Sequence, residues 1–378
     1  MSLIIAEIGT SHEGSVEKAR QLVDAAAGAG ADCIKFQWVY ADEILHPDTG
    51  FVELPTGKIP LYERFTQLEC DKSFYKEMLD YVHSKGCTFC CSPFGLRSLE
   101  ELLEIQPDYV KIASPELNHF PMLEKLAEYR QRQKETAATG SEAIPVPVIV
   151  STGVSKLCDI EKALEILGRE NVSLLHCITS YPAPEEEYNL RLITNLKNIF
   201  GVACGVSDHS LDPILVPALS VACGSTIIEK HITLSRQTMG LDDPVALEPE
   251  QFAVMVHVVH QSEAVLRHYG ELEGVVRIKE QISEQFGDKV EKVLGSGVKV
   301  LAAAEKANYG RTNRSLHFMH DMKKGEVIRA DDIGVLRTEK VLTPGLGPEF
   351  LQTVIGAELS CDVESGDGVE WRHLINIL

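Results

Sequence analysis

Positive charge is scarce in this 378-residue chain: 36 Lys and Arg residues stand against 56 Asp and Glu residues, and the formal net charge is −20. No basic stripe offsets this excess of acid, so we expect no nucleic-acid partner. An anionic substrate would therefore need cationic side chains of its own inside a pocket.

Long apolar runs and cysteine frameworks are missing too. No stretch reaches the ~18 consecutive apolar residues that a transmembrane helix needs, and Glu7 interrupts an N-terminal segment that lacks the basic start of a signal peptide. The ten cysteines follow no repeated C-x-x-C frame, and the densest group, Cys87, Cys90 and Cys91, is more typical of a buried strand than of a zinc site. We predict a cytoplasmic protein with reduced thiols and no membrane partner.

Strand-like and helix-like segments alternate regularly over most of the chain. Strands are predicted at residues 3–8, 33–36, 87–91, 109–112, 146–150, 172–177, 202–206 and 226–228, each followed by a helical pattern. Eight such units within about 270 residues match an α/β fold of the (β/α)8 TIM-barrel type. Two polar segments interrupt the pattern: a long connection over 39–66, a candidate substrate loop, and an insertion over 134–145.

A small β-rich module follows the predicted barrel. We place the barrel at 1–272, a charged, mostly helical linker at 273–311, and the module at 312–378, where short strands and Gly turns predominate. Arg314 opens this module. Taken alone, such an Arg is usually a surface charge.

In a TIM barrel the active site lies at the C-terminal ends of the strands. The predicted ends carry polar groups throughout: Glu7, Lys35, Ser92, Lys111, Ser114, Glu116, Ser151, Thr152, Thr179, Tyr181, Asp208, His209, Lys230 and His231. Strand ends are often polar, but this does not explain three lysines directly after apolar runs, since a buried cation needs a paired anion. Three lysines with several hydroxyls predict a cradle for phosphate and carboxylate groups.

Two of these strand ends carry histidines. If the strands before His209 and His231 are parallel neighbours, both imidazoles emerge at one rim, with Asp208, Glu229 and Asp242 nearby. Each His could simply cap its strand through a local hydrogen bond. The pair together favours a divalent metal site completed by carboxylates and water.

Nine motifs at these positions resemble one known family. They are AEIGTSHEG (6–14), IKFQ (34–37), SPF (92–94), VKIASPEL (110–117), VSTG (150–153), TSYPAP (179–184), GVSDHS (205–210), IEKHITL (228–234) and GLDDPVALEP (240–249). In these, and in NRSL and KKGEVI of the C-terminal module, the chain resembles the sialic acid (N-acetylneuraminate) synthase family of phosphoenolpyruvate-condensing enzymes. This family includes the spore-coat polysaccharide synthase branch, and the resemblance covers essentially the whole chain.

The resemblance implies a TIM barrel with an antifreeze-like (SAF) domain, a domain-swapped homodimer, and a divalent metal, Mn²⁺ or Mg²⁺. The implied reaction joins C3 of phosphoenolpyruvate to the aldehyde of an open-chain N-acetylated hexosamine such as N-acetylmannosamine. Phosphate then leaves by C–O cleavage, and the product is a nine-carbon 2-keto acid, a sialic or nonulosonic acid.

Matching motif positions assigns roles to individual residues. Phosphoenolpyruvate would be held by Lys35, Ser92, Lys111, Ser114, Ser151, Thr179 and Ser207. The amino sugar would be held by Glu116, Tyr181 and Asp242, the metal by His209 and His231, and Arg314 of the partner subunit would reach into this barrel. Lys35 and Lys111 would offset the charge on the reacting anion. Glu7 would position the water that adds to C2, unless it only pairs with Lys35.

The chain departs from the family pattern mainly on the sugar side. Ser11 stands where Asn is usual, Pro115 where Gly is usual, Thr179 where Asn is frequent, and Asp243 where His is usual. The identity of the acceptor sugar is therefore open, and 6-deoxy and 6-phosphorylated acetamido sugars are candidates beside N-acetylmannosamine. Two other functions are also open: a barrel synthase that condenses phosphoenolpyruvate with a sugar phosphate, and a non-catalytic sugar-binding paralogue in polysaccharide biosynthesis.

Overall fold

The computed structural model describes residues 1–54, 57–138, 144–238 and 240–375. The strands are β1 Leu3–Gly9, β2 Cys33–Trp38, β3 Phe51–Leu54, β4 Gly57–Pro60, β5 Thr88–Pro93, β6 Tyr109–Ile112, β7 Val148–Ser151, β8 Val172–Cys177, β9 Ala203–Asp208, β10 Ile227–His231, β11 Arg314–Phe318, β12 Ile333–Arg337, β13 Glu358–Leu359 and β14 Leu374–Ile375. The α-helices are α1 Val16–Gly28, α2 Ala41–Ile44, α3 Leu61–Thr66, α4 Lys72–Ser84, α5 Leu96–Glu104, α6 Phe120–Ala138, α7 Leu157–Leu167, α8 Arg191–Phe200, α9 Leu215–Ala222, α10 Pro249–Tyr269, α11 Glu271–Phe286, α12 Lys289–Leu294 and α13 Leu351–Val354.

Eight parallel strands close into a barrel in the order β1-β10-β9-β8-β7-β6-β5-β2. This confirms the predicted TIM barrel. Two of the barrel helices begin with side-chain caps: the Ser15 hydroxyl accepts the N–H of Lys18 at the start of α1, and Asp71 accepts the N–H of Phe74 at the start of α4. The apolar faces of the barrel helices pack on the outside of the strands and form the main core.

Side chains alternate between the inside and the outside of the barrel along each strand. Cys90 belongs to a small buried cluster with Ile5 and Leu175, whereas its neighbour Cys91 packs in the main core under the helices. The three clustered cysteines are free and buried, which agrees with the predicted strand. The same alternation decides which polar residues at the strand ends can meet one another.

The connection after β2 is more regular than the polar loop that we predicted. It holds the helices α2 and α3 and an antiparallel hairpin in which β3 pairs with β4. The alternating pattern FVEL before Gly57 is typical of a hairpin strand. The predicted connection over 39–66 thus contains regular elements, and its role as a substrate loop stays a prediction. In the predicted insertion at 134–145, α6 continues to Ala138, and residues 139–143 lie outside the described part.

The C-terminal module is built from two antiparallel pairs, β11 with β12 and β13 with β14. Its core is separate from that of the barrel and centres on residues such as Leu316, Phe318 and Leu359. The segment 295–313 connects α12 to this module and crosses the mouth of the barrel, where several of its side chains contact the strand-end loops.

None of the helices in the described ranges has an apolar stretch long enough to cross a bilayer.

Candidate active site

A cavity of about 360 Å³ opens at the C-terminal ends of the barrel strands. Most of the residues predicted for the site line it: Lys35, Ser92, Lys111, Ser114, Ser151, Thr179, Tyr181, Ser207, His209, His231 and Asp242. Glu7 lies directly behind the lining, bonded to Lys35. Glu116 and Arg314 contact each other outside the lining. The structure thus gathers most of the strand-end residues around one cavity, whereas Glu116 and Arg314 lie outside its lining.

Lys35 and Lys111 form a buried charged group with two carboxylates. Lys35 Nζ lies 2.8 Å from Glu7 Oε2 and 3.1 Å from Glu229 Oε2. Lys111 Nζ donates to Ser151 Oγ at 2.6 Å and lies 3.9 Å from Glu229 Oε1. Glu229 is therefore the shared counter-ion of the two lysines, a role that the sequence did not suggest.

These contacts give the two carboxylates different proton affinities. Burial, reinforced by the nearby Glu229, raises the pKa of Glu7 to about 7 despite the opposing effect of Lys35. Burial also disfavours the charged form of Glu229, but Lys111 and Lys35 outweigh it and lower the pKa of Glu229 to about 2. Glu7 can thus gain or lose a proton near neutral pH, as a residue that positions water for proton transfer must.

The third lysine of the predicted cradle lies elsewhere. Lys230 Nζ donates to Asp208 Oδ2 at 2.5 Å and to Ser210 Oγ at 3.1 Å, on the outer side of the barrel. The prediction that three lysines form the cradle was wrong, because β10 continues to His231 and its side chains alternate. Glu229 and His231 face the cavity, and Lys230 between them faces away.

Two hydroxyls in the cavity wall are buried without a partner. Among the described residues, Ser92 Oγ and Thr179 Oγ1 find no hydrogen-bonding group. Leaving such a group unpaired costs about 1–3 kcal/mol, so it is normally met by a ligand or by water. Both hydroxyls lie in the wall that also holds Lys35 and Lys111, where an anionic ligand would accept hydrogen bonds from them.

The histidines lie side by side in the same wall, with ring centres 5.5 Å apart. The Nδ1 of His209 contacts the carbonyl of Ile178 at 2.7 Å, which leaves its Nε2 towards Ser207 and Tyr181. Burial lowers the pKa of His209 to about 4 and that of His231 well below its usual value, so both rings are neutral near pH 7.

Neutral imidazole is the form that binds a metal. In the described ranges no three His, Cys, Asp or Glu side chains form a metal-binding group. His231 Nδ1 lies 3.8 Å from Asp242 Oδ2. Two imidazoles facing one cavity fit a divalent ion that keeps several positions open for water or substrate, as a Lewis-acid site requires.

Glu116 and Arg314 belong to a buried ion-pair network between the barrel and the module. The Nε of Arg314 donates to Glu116 Oε2 at 2.8 Å, and Arg337 Nη2 donates to Glu116 Oε1 at 2.7 Å. Burial opposes ionisation of Glu116, but the two guanidinium groups hold its pKa below the usual value. Here Arg314 pairs with Glu116 of its own chain, and its predicted contact with a partner's barrel stays a prediction.

We expect the substitution Glu116→Gln to destabilise the protein by about 3–5 kcal/mol, because two buried guanidinium groups lose their counter-ion. Urea unfolding followed by circular dichroism measures the change. The control is Glu273→Gln, which breaks the exposed pair with Arg277 and is expected to leave the stability close to that of wild type, because solvent screens such a pair. Equal losses in the two variants would contradict a structural role for the buried network.

Two departures from the family pattern lie in contact with each other. Ser11 Oγ donates to Asp243 Oδ1 at 2.6 Å, and Asp243 Oδ2 accepts the N–H of Gly240 at 2.9 Å. These bonds fix the loop that carries Asp242 and Leu241 into the cavity. The two unusual residues therefore act as a unit behind the part of the wall that holds Asp242.

Sequence reasoning missed the cavity residues that come from outside the barrel strands. Asn308 and Thr312 of the connecting segment line the cavity, as do Arg337 and Lys340 of the module. Each lies far along the chain from the strand ends, and no local pattern marks it. Only the way that the module and the connecting segment pack on the barrel reveals them.

Comparison with known proteins agrees with this architecture. The NeuB family model matches residues 22–270, and the SAF domain model matches residues 313–375. The chain is 31% identical over 378 residues to the spore coat polysaccharide biosynthesis protein SpsE of Bacillus subtilis (strain 168), with 98% of this chain and 93% of that protein covered. It is 30% identical to the N,N'-diacetyllegionaminic acid synthase of Campylobacter jejuni (serotype O:2), with coverage of 93% and 94%.

Solved structures give the same result. The crystal structure of SpsE from Bacillus subtilis superposes with a TM-score of 0.79 at 29% identity, covering 99% of this chain and 95% of that one. The N-acetylneuraminic acid (sialic acid) synthetase of Leptospira borgpetersenii gives a TM-score of 0.62 at 30% identity, covering 77% of this chain and 93% of that one. The chain is therefore a member of the NeuB family, with a barrel and a C-terminal SAF domain.

Proposed function

We propose that this protein joins phosphoenolpyruvate to the open-chain form of an N-acetylated hexosamine and releases phosphate and a nine-carbon 2-keto acid. The observation that carries the proposal is the cavity wall in which Lys35 and Lys111 lie beside buried, unpartnered hydroxyls and face two neutral histidines. The relatives include a legionaminic acid synthase and a sialic acid synthetase, which supports the same class of reaction.

The lysine side of the cavity suits phosphoenolpyruvate. When Glu7 is protonated, the two positive charges of the lysines exceed the single negative charge of Glu229. The cluster of Glu7, Lys35, Lys111 and Glu229 then has a net positive charge and attracts an anion. The lysines offset the negative charge on phosphate and carboxylate, and the hydroxyls of Ser92 and Thr179 donate hydrogen bonds to the same oxygens. We propose that Ser114, Ser151 and Ser207 complete the part of the cavity that binds phosphoenolpyruvate.

The pair of histidines in the same wall suits the aldehyde of the sugar. We propose that His209 and His231 hold Mn²⁺ or Mg²⁺, an ion that polarises a carbonyl oxygen when bound. The phenol of Tyr181 and the carboxylate of Asp242 lie beside the histidines and can bind sugar hydroxyls. In this assignment Glu116 supports the wall from behind and its partner Arg314 holds it there.

The reaction then balances with one water. The bond from C3 of phosphoenolpyruvate to the aldehyde carbon forms as the aldehyde C=O π bond breaks, water adds its oxygen to C2, and the C2–O bond to phosphate breaks. One proton of the water ends on the former aldehyde oxygen and the other on phosphate. Glu7 accepts a proton from the water or returns one to the departing group, which its pKa of about 7 permits. Lys35, bonded to Glu7, keeps that carboxyl close to the reacting carbon.

The rest of the cavity lining bears on which acceptor fits. Phe65, Leu68, Phe94 and Leu241 contribute apolar surface, which suits an acetamido methyl or a 6-deoxy carbon. Lys340 lies in the same lining and would suit a phosphate instead. A panel of acceptors must therefore contain both 6-deoxy and 6-phosphorylated acetamido sugars.

The test is phosphate release from phosphoenolpyruvate with Mn²⁺ across a panel of N-acetylated hexosamines, 6-deoxy sugars and 6-phosphates. We expect release that requires one of the sugars. Release without any sugar would indicate a phosphatase, and failure to bind phosphoenolpyruvate would contradict the assignment of the lysine pair. Binding without release for every acceptor would favour the non-catalytic paralogue.

We also propose a homodimer that exchanges C-terminal modules, on the ground of the family resemblance. We expect that co-refolding a Lys35→Met chain with an Arg314→Ala chain restores activity, since a mixed dimer then contains one intact site. Random assembly gives about a quarter of wild-type activity, because half of the dimers are mixed. No recovery, with mixed dimers demonstrated by mass spectrometry, would show that each module serves its own barrel.

A further inference from the structure

The segment that connects the barrel to the module does more than link them. Within it, Glu305 is buried and accepts two backbone N–H groups at one oxygen, those of Val154 and Thr179, each at 2.8 Å. Its other oxygen accepts the N–H of Ala302 at 3.3 Å. A single carboxylate thus ties the segment to the loops that follow β7 and β8.

Other side chains of the segment donate hydrogen bonds to the backbone carbonyl groups of these loops. Lys299 Nζ donates to the carbonyl of Thr152 at 2.7 Å, and Asn313 Nδ2 donates to the carbonyl of Val154 at 3.2 Å. Asn308 Nδ2 donates to the carbonyl of Thr179 at 3.4 Å. Both the N–H and the C=O groups of the two loops are therefore held by one stretch of chain, residues 299–313, which we call the strap.

The loops need such restraint. Val154 has a positive φ of 41°, which is unfavourable for a β-branched residue, and the bond from its N–H to Glu305 helps to hold it there. One residue earlier, the N–H of Gly153 donates to Ser114 Oγ at 3.0 Å. A Cβ at Gly153 would lie 2.1 Å from Thr179 Oγ1, so the two loops approach each other closely at the cavity wall.

We propose that the strap is part of the catalytic site and that Glu305 is a positioning residue for its anion-binding half. Glu305 does not itself line the cavity, but it fixes the backbone of the lining residue Thr179 and of the loop after Ser151. Asn308 and Thr312 of the strap themselves line the cavity. The inference deepens the proposed function and rests on it, because it assigns the strap to the phosphoenolpyruvate side rather than to the sugar side.

The test compares Glu305→Gln and Asn308→Ala with the control Glu284→Gln, an exposed position in α11. In Glu305→Gln a neutral amide oxygen replaces the carboxylate as the shared acceptor of the Val154 and Thr179 N–H groups, and the new NH2 group faces the N–H of Ala302, so the bonds to the two loops weaken. Asn308 is only half-buried, and its loss should be tolerated by the fold. We expect both strap variants to raise the KM for phosphoenolpyruvate, Glu305→Gln by about tenfold or more, with a smaller change in the KM for the sugar. The control should match wild type.

Hydrogen–deuterium exchange gives a readout that does not depend on the reaction. We expect faster exchange at the amides of Val154 and Thr179 in Glu305→Gln, with the strands of the barrel unchanged. If both variants fold and neither changes the exchange rates or the KM values, the proposal is overturned. If Glu305→Gln does not fold, the KM of Asn308→Ala for phosphoenolpyruvate is the deciding measurement, and an unchanged value overturns the proposal. If the wild-type protein releases no phosphate with any acceptor, the proposed function fails and the catalytic role of the strap fails with it. The exchange data still show separately whether Glu305 holds the loops.

Discussion

Replacing Lys35 with methionine is expected to lower kcat/KM for phosphoenolpyruvate by about a hundred- to a thousandfold. Lys35 lies between Glu7 and Glu229, at 2.8 and 3.1 Å from their oxygens. Without it, burial keeps Glu7 protonated and Lys111 is left alone beside the charged Glu229, so the cavity loses the net positive charge that attracts the anion and that offsets the charge on the departing phosphate. Steady-state kinetics and calorimetric titration with phosphoenolpyruvate measure the two effects separately.

Lys230 provides a matched control for this substitution. It is as deeply buried as Lys35, but it pairs with Asp208 on the outer side of the barrel. We expect Lys230→Met to lower the free energy of unfolding by about 3–5 kcal/mol while the folded fraction keeps its affinity for phosphoenolpyruvate. If Lys35→Met keeps normal affinity, or if both variants lose it equally, the lysine pair does not bind the anion.

The second large effect is expected for His209→Ala, which should reduce phosphate release to below about 1% of wild type at saturating substrates. The substitution removes one of two neutral imidazoles that face the cavity. Phosphoenolpyruvate should still bind, because the substitution leaves Lys35 and Lys111 and their shared counter-ion Glu229 in place. The measurement is activity after chelator treatment and stepwise return of Mn²⁺.

The wild-type protein should lose activity with the chelator and regain it with Mn²⁺, while His209→Ala should stay inactive over the same range. His268→Ala, at an exposed position in α10, is the control and should behave as wild type. Full activity of chelated wild-type protein, or of His209→Ala, would contradict the assignment of a metal to these histidines.

Much of the fold could be predicted because the hydrophobic pattern of a parallel barrel is local. Each strand is a short apolar run that ends in a polar residue, and the ends of parallel strands meet at one rim. Lys35, Lys111, His209 and His231 were located on this argument alone, and the structure brings them to one cavity. What they bind is a matter for experiment.

The errors arose where the direction of a side chain or a distant segment decided the outcome. Lys230 was predicted for the cradle because β10 was expected to end before it, and a strand that continues to His231 turns Lys230 outwards and Glu229 inwards. The contributions of Arg337 and Glu305 depend on how the module and the strap pack on the barrel, and no local pattern records that packing.

The central claim is that this cavity joins phosphoenolpyruvate to a sugar aldehyde, and carbon-13 NMR of the product tests it most directly. The protein, Mn²⁺ and the active acceptor from the panel are incubated with phosphoenolpyruvate labelled at C3. We predict that the labelled carbon becomes a methylene bonded to a sugar carbon in a 2-keto acid, and that Lys35→Met fails to form this signal. A labelled pyruvate methyl group, or phosphoenolpyruvate left unchanged with every acceptor, would contradict the account.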